Sequence, residues 1–418
     1  MRNILFILLT LFATFASASA EWREFRGTSH DAVGKGERYP LEWSETQNII
    51  WKTAIHDEGW SSPVILGDQI WLTTASKDGR QLYALAVDDR NGEILHDLKV
   101  FEPVSPQRKH SLNTYATPTP ALEPGYVYVH FGTEGTACLD TQSGEVLWKR
   151  TDLNCEHVQG AASSPIIYKD LLIVHLEGTD VQFIYALDKK TGNTIWQHER
   201  PQQYYVDVRP IWRKAYITPI VVNVNGRNLL ISNGAQICEA LDANTGEPVW
   251  LVVYGTDSTV SVPLWYNGLA IINTGLDFVK GKNQSQLWAV KPDGKGDVTD
   301  THIVWKALEH VPGLSTPVIY EDLLYMVDEK GTATCLSAKD GKKVWQKELD
   351  GDYHASPVAA AGHVYFTNDK GVTTVLKAGK TFSKIAQNDL NDKILATPAL
   401  VNGEIVMRTA NFLYKIKK

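Results

Sequence analysis

The chain has 418 residues with 41 Lys and Arg against 48 Asp and Glu, a net charge of −7, and it is 43% hydrophobic and 21% charged. Such a balance excludes a disordered chain, and 31 Gly with 18 Pro is the background of a globular protein rather than a low-complexity polymer. With no basic block, nucleic acid and an anionic membrane surface are not expected as partners.

In chain order, Arg2 precedes an apolar run from Ile4 to Phe15 that ends in Ala18-Ser19-Ala20. The run is too short to span a bilayer and closes on an Ala-x-Ala pattern, so residues 1–20 read as a signal peptide cleaved at about Ala20. No Cys follows it, so no membrane anchor is expected, and a periplasmic or secreted monomer is. Residues 21–47 read as an N-terminal extension and 48–418 as one repeat domain. The four cysteines, Cys138, Cys155, Cys238 and Cys335, are too few for a disulfide scaffold.

A Ser/Thr-Pro pair heading a short apolar run recurs along the rest. The pairs are Ser62-Pro63, Thr117-Pro118, Ser164-Pro165, Thr218-Pro219, Thr316-Pro317, Ser356-Pro357 and Thr397-Pro398, with Val262-Pro263 filling the one gap. Eight units 40 to 55 residues apart predict an all-β, eight-bladed propeller of four-stranded antiparallel blades. Within each unit two β-rich runs make a hairpin, as at Pro165–Ile167 and Leu171–Val174. A third run leads into Asp-x-x-Thr-Gly, a tight turn in which Asp bonds its own backbone and Gly takes positive φ. The fourth run carries Trp, and Trp148, Trp196, Trp250, Trp305 and Trp345 are expected to pack between neighbouring blades. Cys138 and Cys335 fall where other units have Ala and are expected to be buried. The last unit lacks its Trp strand, whereas Trp51 precedes the first pair, so Asn48–Ala54 is expected to complete the blade of Ala396–Lys418 and remove the open edge.

Residues 186–196 and 240–250 match Ala-x-Asp-x-x-Thr-Gly-x-x-x-Trp, and here the chain resembles the quinoprotein-type repeat family over about residues 48–418. One branch of that family, the pyrroloquinoline-quinone (PQQ) alcohol and sugar dehydrogenases, implies PQQ with calcium and a catalytic Asp. This sequence has no adjacent cysteine pair and no long chamber-building insertions, so no catalytic residue carries over from that branch. The other branch, similar to BamB-type outer-membrane assembly proteins, implies a binding platform without a cofactor.

A ligand site is expected where the loops entering the innermost strands converge. The candidates there are Trp60, Arg108, His110, Tyr115, His157, Tyr205, Arg209, Arg213, Tyr216, His310, Tyr353 and His354. Aromatics with Arg and His suit a planar carboxylated or hydroxyl-rich ligand. His110, His157 and His354 are read as satisfied histidines rather than metal ligands, and no metal is expected. The chain has no Gly-x-Ser-x-Gly, His-Glu-x-x-His or phosphate-loop motif, and Asn283-Gln284-Ser285 matches a glycosylation triplet. The expected function is an exported, non-catalytic platform for envelope protein or polysaccharide. The alternatives are a quinone-dependent or other oxidoreductase on alcohols or sugars, or sugar cleavage or isomerisation in the channel.

Overall fold

A computed structural model describes residues 21–257, 259–276 and 285–418. The expected signal peptide, and Asn283 with Gln284 of the glycosylation triplet, lie outside these residues. Eight sheets follow one another along the chain. They are blade 1 (64–101), blade 2 (121–150), blade 3 (166–199), blade 4 (220–253), blade 5 (264–311), blade 6 (318–348), blade 7 (358–389) and blade 8 (399–416). Each blade has four antiparallel strands in chain order, and the fourth strand of blade 8 is Ile49–Ala54, paired with Phe412–Ile416. The all-β eight-bladed propeller and its N-terminal closure are as the repeat predicts.

The Ser/Thr-Pro pairs have a role the repeat alone does not disclose. Ser62 N–H donates to Thr119 Oγ1, Thr119 to Ser164, Ser164 to Thr218, Val262 to Thr316, Thr316 to Ser356, Ser356 to Thr397, and Thr397 back to Ser62, all at 2.9–3.2 Å. These residues are buried, and the bonds join each inner strand to the next in a belt around the channel. The Pro that follows opens the strand and has no N–H to satisfy. In blade 2 the belt residue is Thr119, before Pro120, and not Thr117, which sits in the preceding loop with its hydroxyl bonded to Asn113. Tandem Thr-Pro pairs made that register ambiguous in the sequence. Val262 has no hydroxyl, so the link due from Thr218 lacks its acceptor.

Between blades the tryptophans dock as expected. Trp148, Trp196, Trp250, Trp305 and Trp345 each stand opposite a small buried residue, namely Cys138, Ala186, Ala240, Ala289 and Cys335. Their rings lie against the turn of the following blade, with Trp148 Nε1 donating to Lys189 O and Trp51 Nε1 to Asp89 O, both at 3.0 Å. The turn glycine is dictated twice. Gly192 holds φ +74, and a Cβ there would meet the Trp148 ring at 2.7 Å.

Residues 21–47 enter the ring as well as wrapping it. Glu21–Trp22 pairs antiparallel with the inner strand of blade 1, and Val33–Gly34 runs parallel to the inner strand of blade 7. Between them Arg23 O accepts from Leu122 N, Glu24 Oε1 accepts from Ile167 N, and Arg26 donates to Thr316 O and Pro317 O. This loop therefore touches blades 1, 2, 3, 6 and 7 and plugs the channel. Farther on, Trp43 packs on Tyr365 of blade 7, where the outer strand carries Ala386 in place of a docking Trp.

Gly192→Ala adds both a strained φ and a clash with Trp148, and is expected to cost about 2–3 kcal/mol of stability. In a Trp148→Ala background the same change is expected to cost only about 1 kcal/mol, since the clash is gone. Urea unfolding of the double-mutant cycle checks this, and an equal cost in both backgrounds would refute the docking contact.

Candidate functional site

Above the plug, the loops leading into the inner strands leave a bowl of about 440 Å³. Phe25, at the tip of the plug, forms its floor, and the belt residues ring it. Each belt hydroxyl accepts one backbone bond and keeps its own proton, so the ring is neutral and can donate. Leu112, Val260, Leu276, Leu314 and Leu395 make the walls apolar. Among the described residues the lining holds no Asp, Glu, Lys or Arg.

Four of the expected site residues reach this bowl: Trp60, His110, Tyr216 and His354. Trp60 is half-buried beneath Lys393, whose Nζ lies 5.4 Å from the ring, and Tyr216 is buried with its hydroxyl donating to Gln159 Oε1 at 2.9 Å. His110 is exposed and accepts from Leu112 N at Nδ1, 3.2 Å away. His354 Nδ1 bonds Asp369 at 2.7 Å, which fixes the orientation of the ring. Among the described residues neither imidazole is hydrogen-bonded to a hydroxyl of the bowl.

The other eight candidates lie outside the lining. Tyr115 packs over Gly79 and donates to Gln107 O at 2.7 Å. Buried Tyr205 donates to Ala235 O at 2.7 Å, and buried Tyr353, its phenol pushed up to about 12 by desolvation, donates to Asp350 O. Arg213 donates to Val208 O, Arg209 covers the Trp212 ring at 4.9 Å, and Arg108 is exposed. His310 is exposed beside Asp328 at 3.1 Å. His157 is buried below the loops, where Nε2 accepts from Thr133 N at 3.2 Å and Cys155 Sγ lies 3.5 Å away. The histidines do not gather, and among the described residues no group of three or more His, Cys, Asp or Glu is placed to hold a metal. All four cysteines are free and buried.

Sequence reasoning missed Phe25, because the extension reads as lying outside the ring, and the aliphatic walls, because aliphatic loop residues carry no pattern. Six of the seven belt hydroxyls stand in the Ser/Thr-Pro pairs, but were read only as strand signals, and the seventh, Thr119, was passed over for Thr117.

Burial sets a pH limit on this part of the molecule. Desolvation holds His157 down to about 4 and His130 to about 3, so both are neutral in the folded protein where free imidazoles take up protons near 6.5. Between pH 6.5 and 4 the unfolded chain therefore binds more protons, and stability is fully present above 6.5 and is lost as pH falls through that window. The expected cost from His157 is roughly 2 kcal/mol by pH 4.5. Melting curves from pH 7 to 4.5 check it, and His157→Gln is expected to flatten the dependence; an unchanged slope would contradict the assignment.

A family model described as outer membrane protein assembly factor BamB, of the PQQ-like repeat type, matches residues 30–181, 104–212, 182–315 and 282–382 in overlapping registers, as a repeat should. Tetrathionate hydrolase of Acidithiobacillus ferrooxidans is 20% identical over 341 residues, covering 78% of this chain and 66% of that protein. BamB of Yersinia pestis is 20% identical over 271 residues, covering 54% and 67%. The chain thus spans about two thirds of the length of these relatives. A solved europium-containing methanol dehydrogenase superposes with a TM-score of 0.68 at 11% identity over 96% of this chain and 98% of that one, a likeness of fold alone. The chain belongs to the PQQ-like repeat β-propeller family described as outer membrane protein assembly factor BamB.

Proposed function

We propose that this protein is a non-catalytic platform of the cell envelope whose bowl receives an apolar segment of an envelope protein, in keeping with the assembly role named for its BamB relatives. The observation that carries the reading is the uncharged lining, with walls of Leu and Val above a ring of hydroxyls, over a channel already filled by residues 21–34. Such a surface gains by excluding water from apolar side chains, and its ring of hydroxyls can bond an exposed backbone. A polysaccharide is the weaker fit, since the Leu and Val walls favour apolar side chains and leave hydrogen bonding to the belt hydroxyls and a few polar loop residues.

The residues also bear on the quinone alternative. PQQ carries three carboxylates and is held with calcium, which takes oxygen ligands, Asp and Glu above all. The described lining has neither a cation for the carboxylates nor an acidic ligand for the ion. The fit is poor, and no redox step is assigned to this chain. The reading carries with it a periplasmic location and a monomer.

The test uses a labelled extended peptide of alternating Phe and Thr, followed by fluorescence anisotropy. Leu395→Arg, on the half-buried wall, is expected to weaken binding at least tenfold, about 1.4 kcal/mol, with the melting temperature unchanged. A parallel melting titration with PQQ is expected to show no calcium-dependent rise. Equal peptide affinity in Leu395→Arg, or a calcium-dependent rise with PQQ, would overturn the reading.

A further inference from the structure

Seven of the eight junctions between blades are closed by an indole: Trp51, Trp148, Trp196, Trp250, Trp305 and Trp345 from the outer strands, and Trp43 from the extension. The junction between blades 1 and 2 is the exception. There His96 stands opposite Ala86, in the register held elsewhere by Trp. The receiving turn of blade 2 is nevertheless formed for an indole, with Ser143 donating to Asp140 and Gly144 at φ +75. A cleft of about 620 Å³ lies at this junction, between residues 66–69, Trp71, Leu95 and His96 of blade 1 and 122–125 and 141–142 of blade 2. That volume is typical of a site for a bound group, about 300–1,000 Å³.

The cleft is aromatic on one side and polar at its rim. Trp71, fully buried, lies parallel to His96 with ring centres 5.7 Å apart. Its Nε1 donates to Gln69 Oε1, and Gln69 Nε2 donates to Thr141 O. Thr141 O corresponds to Lys189 O and Asp89 O, the carbonyls that Trp148 and Trp51 bond in their own junctions. Gln69 thus satisfies the turn's carbonyl, His96 and Leu98 lie against Gly144 where other junctions hold an indole, and the cleft opens beside them.

What fills such a gap is visible in the same molecule. Blade 7 has Ala386 where its docking Trp is due, and Trp43 enters from a stretch remote in sequence. Its ring centre lies 6.3 Å from Tyr365, the same separation as Trp148 from Tyr128 in a regular junction. The segment that brings it is extended, with Trp43 N donating to Asn388 and Ser44 bridging Asp389 in parallel along the outer strand. The outer strand of blade 1, Ile94–Phe101, offers the same kind of edge, unpaired on its outer side among the described residues. Ile94 and Leu95 are exposed on it, 44% and 41%. Neither terminus of the described chain serves this edge, since Glu21–Trp22 is committed to the inner strand of blade 1 and Phe412–Ile416 to blade 8.

We propose that the junction of blades 1 and 2 is a docking site for an extended segment of a partner protein bearing a tryptophan, which runs along residues 94–101 and sets its indole beside His96 and Trp71. The site is separate from the bowl, lying among the turns that join the strands at the other end of the channel.

The test uses the full chain, labelled with ¹⁵N at Trp, and a hexapeptide Leu-Glu-Trp-Ser-Glu-Thr that copies residues 41–46, with its Trp→Ala version as control. The Trp71 indole N–H signal is expected to shift saturably with the first peptide and not with the second. His96→Trp, which fills the gap, is expected to raise the melting temperature by a few degrees and to weaken peptide binding at least tenfold. Leu95→Glu, on the exposed lip, is expected to weaken it about fivefold with the melting temperature unchanged, and decides the matter if His96→Trp does not fold. A Trp71 signal unmoved at millimolar peptide, or unchanged affinity in either folded variant, would overturn the proposal. Self-association of the wild type that His96→Trp abolishes would overturn the choice of a foreign partner.

Discussion

A closed ring of sheets survives only if no junction opens alone, and the buried belt of Ser and Thr hydroxyls supplies that constraint. Each link is a backbone N–H in blade n satisfied by a side chain of blade n+1. Opening one junction would leave that donor without its bond next to an apolar channel wall, at about 1–3 kcal/mol, besides exposing the docked indole. The one interrupted link, from Thr218 toward Val262, falls between blades 4 and 5, and other contacts reinforce that seam. Trp250 is the most buried of the docking rings at 1% exposure and donates to Pro292 O at 2.9 Å, while Gly296–Asp297 crosses back from blade 5 as a fifth strand on blade 4. The same stretch of ring therefore trades a belt bond for outer-edge pairing.

Closing the ring also decides how much of the channel stays open. The segment that completes blade 8 has first passed through the channel, so the passage is filled by the protein's own chain and what remains at its mouth is the bowl above Phe25. Arg26 holds this plug with bonds to carbonyl oxygens of the belt strand of blade 6, and burial lowers its pKa to about 9. Charge elsewhere in the ring is internal as well. Fully buried Arg200 joins Glu177 and Glu239, with His175 and Ser232 completing its bonds, across blades 3 and 4. Buried ion pairs of this kind contribute little net stability but strongly penalise a wrong register, a hypothesis suited to a fold whose eight units resemble one another.

The repeat was legible because it is made of local rules. The Pro pairs at the head of each inner strand gave the blade count, and Asp-x-x-Thr-Gly turns with a Trp at fixed register gave the docking contacts and the burial of Cys138 and Cys335. Closure was legible because Trp51 stood before the first pair. The site was half legible: Trp60, His110, Tyr216 and His354 reach the bowl, whereas Tyr205, Tyr353 and His157 turn inward to satisfy buried backbone and Arg209 and Arg213 bind their own loop. A loop sequence fixes which residues are near the mouth, but not which way they face. The plug was illegible for a different reason. Its partners, from Leu122 to Ala359, are contributed by other blades, and nothing in residues 21–34 alone marks them as channel-filling.

The central claim is that belt and plug form one cooperative unit, so that the channel stays filled while the protein is folded. Native-state hydrogen exchange tests it most directly, read at the belt amides of Ser62, Thr119, Thr316 and Thr397 and at Leu122 and Ala359, which donate to Arg23 O and Ala32 O of the plug. A single rate, equal to that of global unfolding, is the predicted result. Fast exchange at Leu122 and Ala359 with the belt still protected would mean that the plug leaves the channel in the native state, and would return the channel itself to consideration as the site.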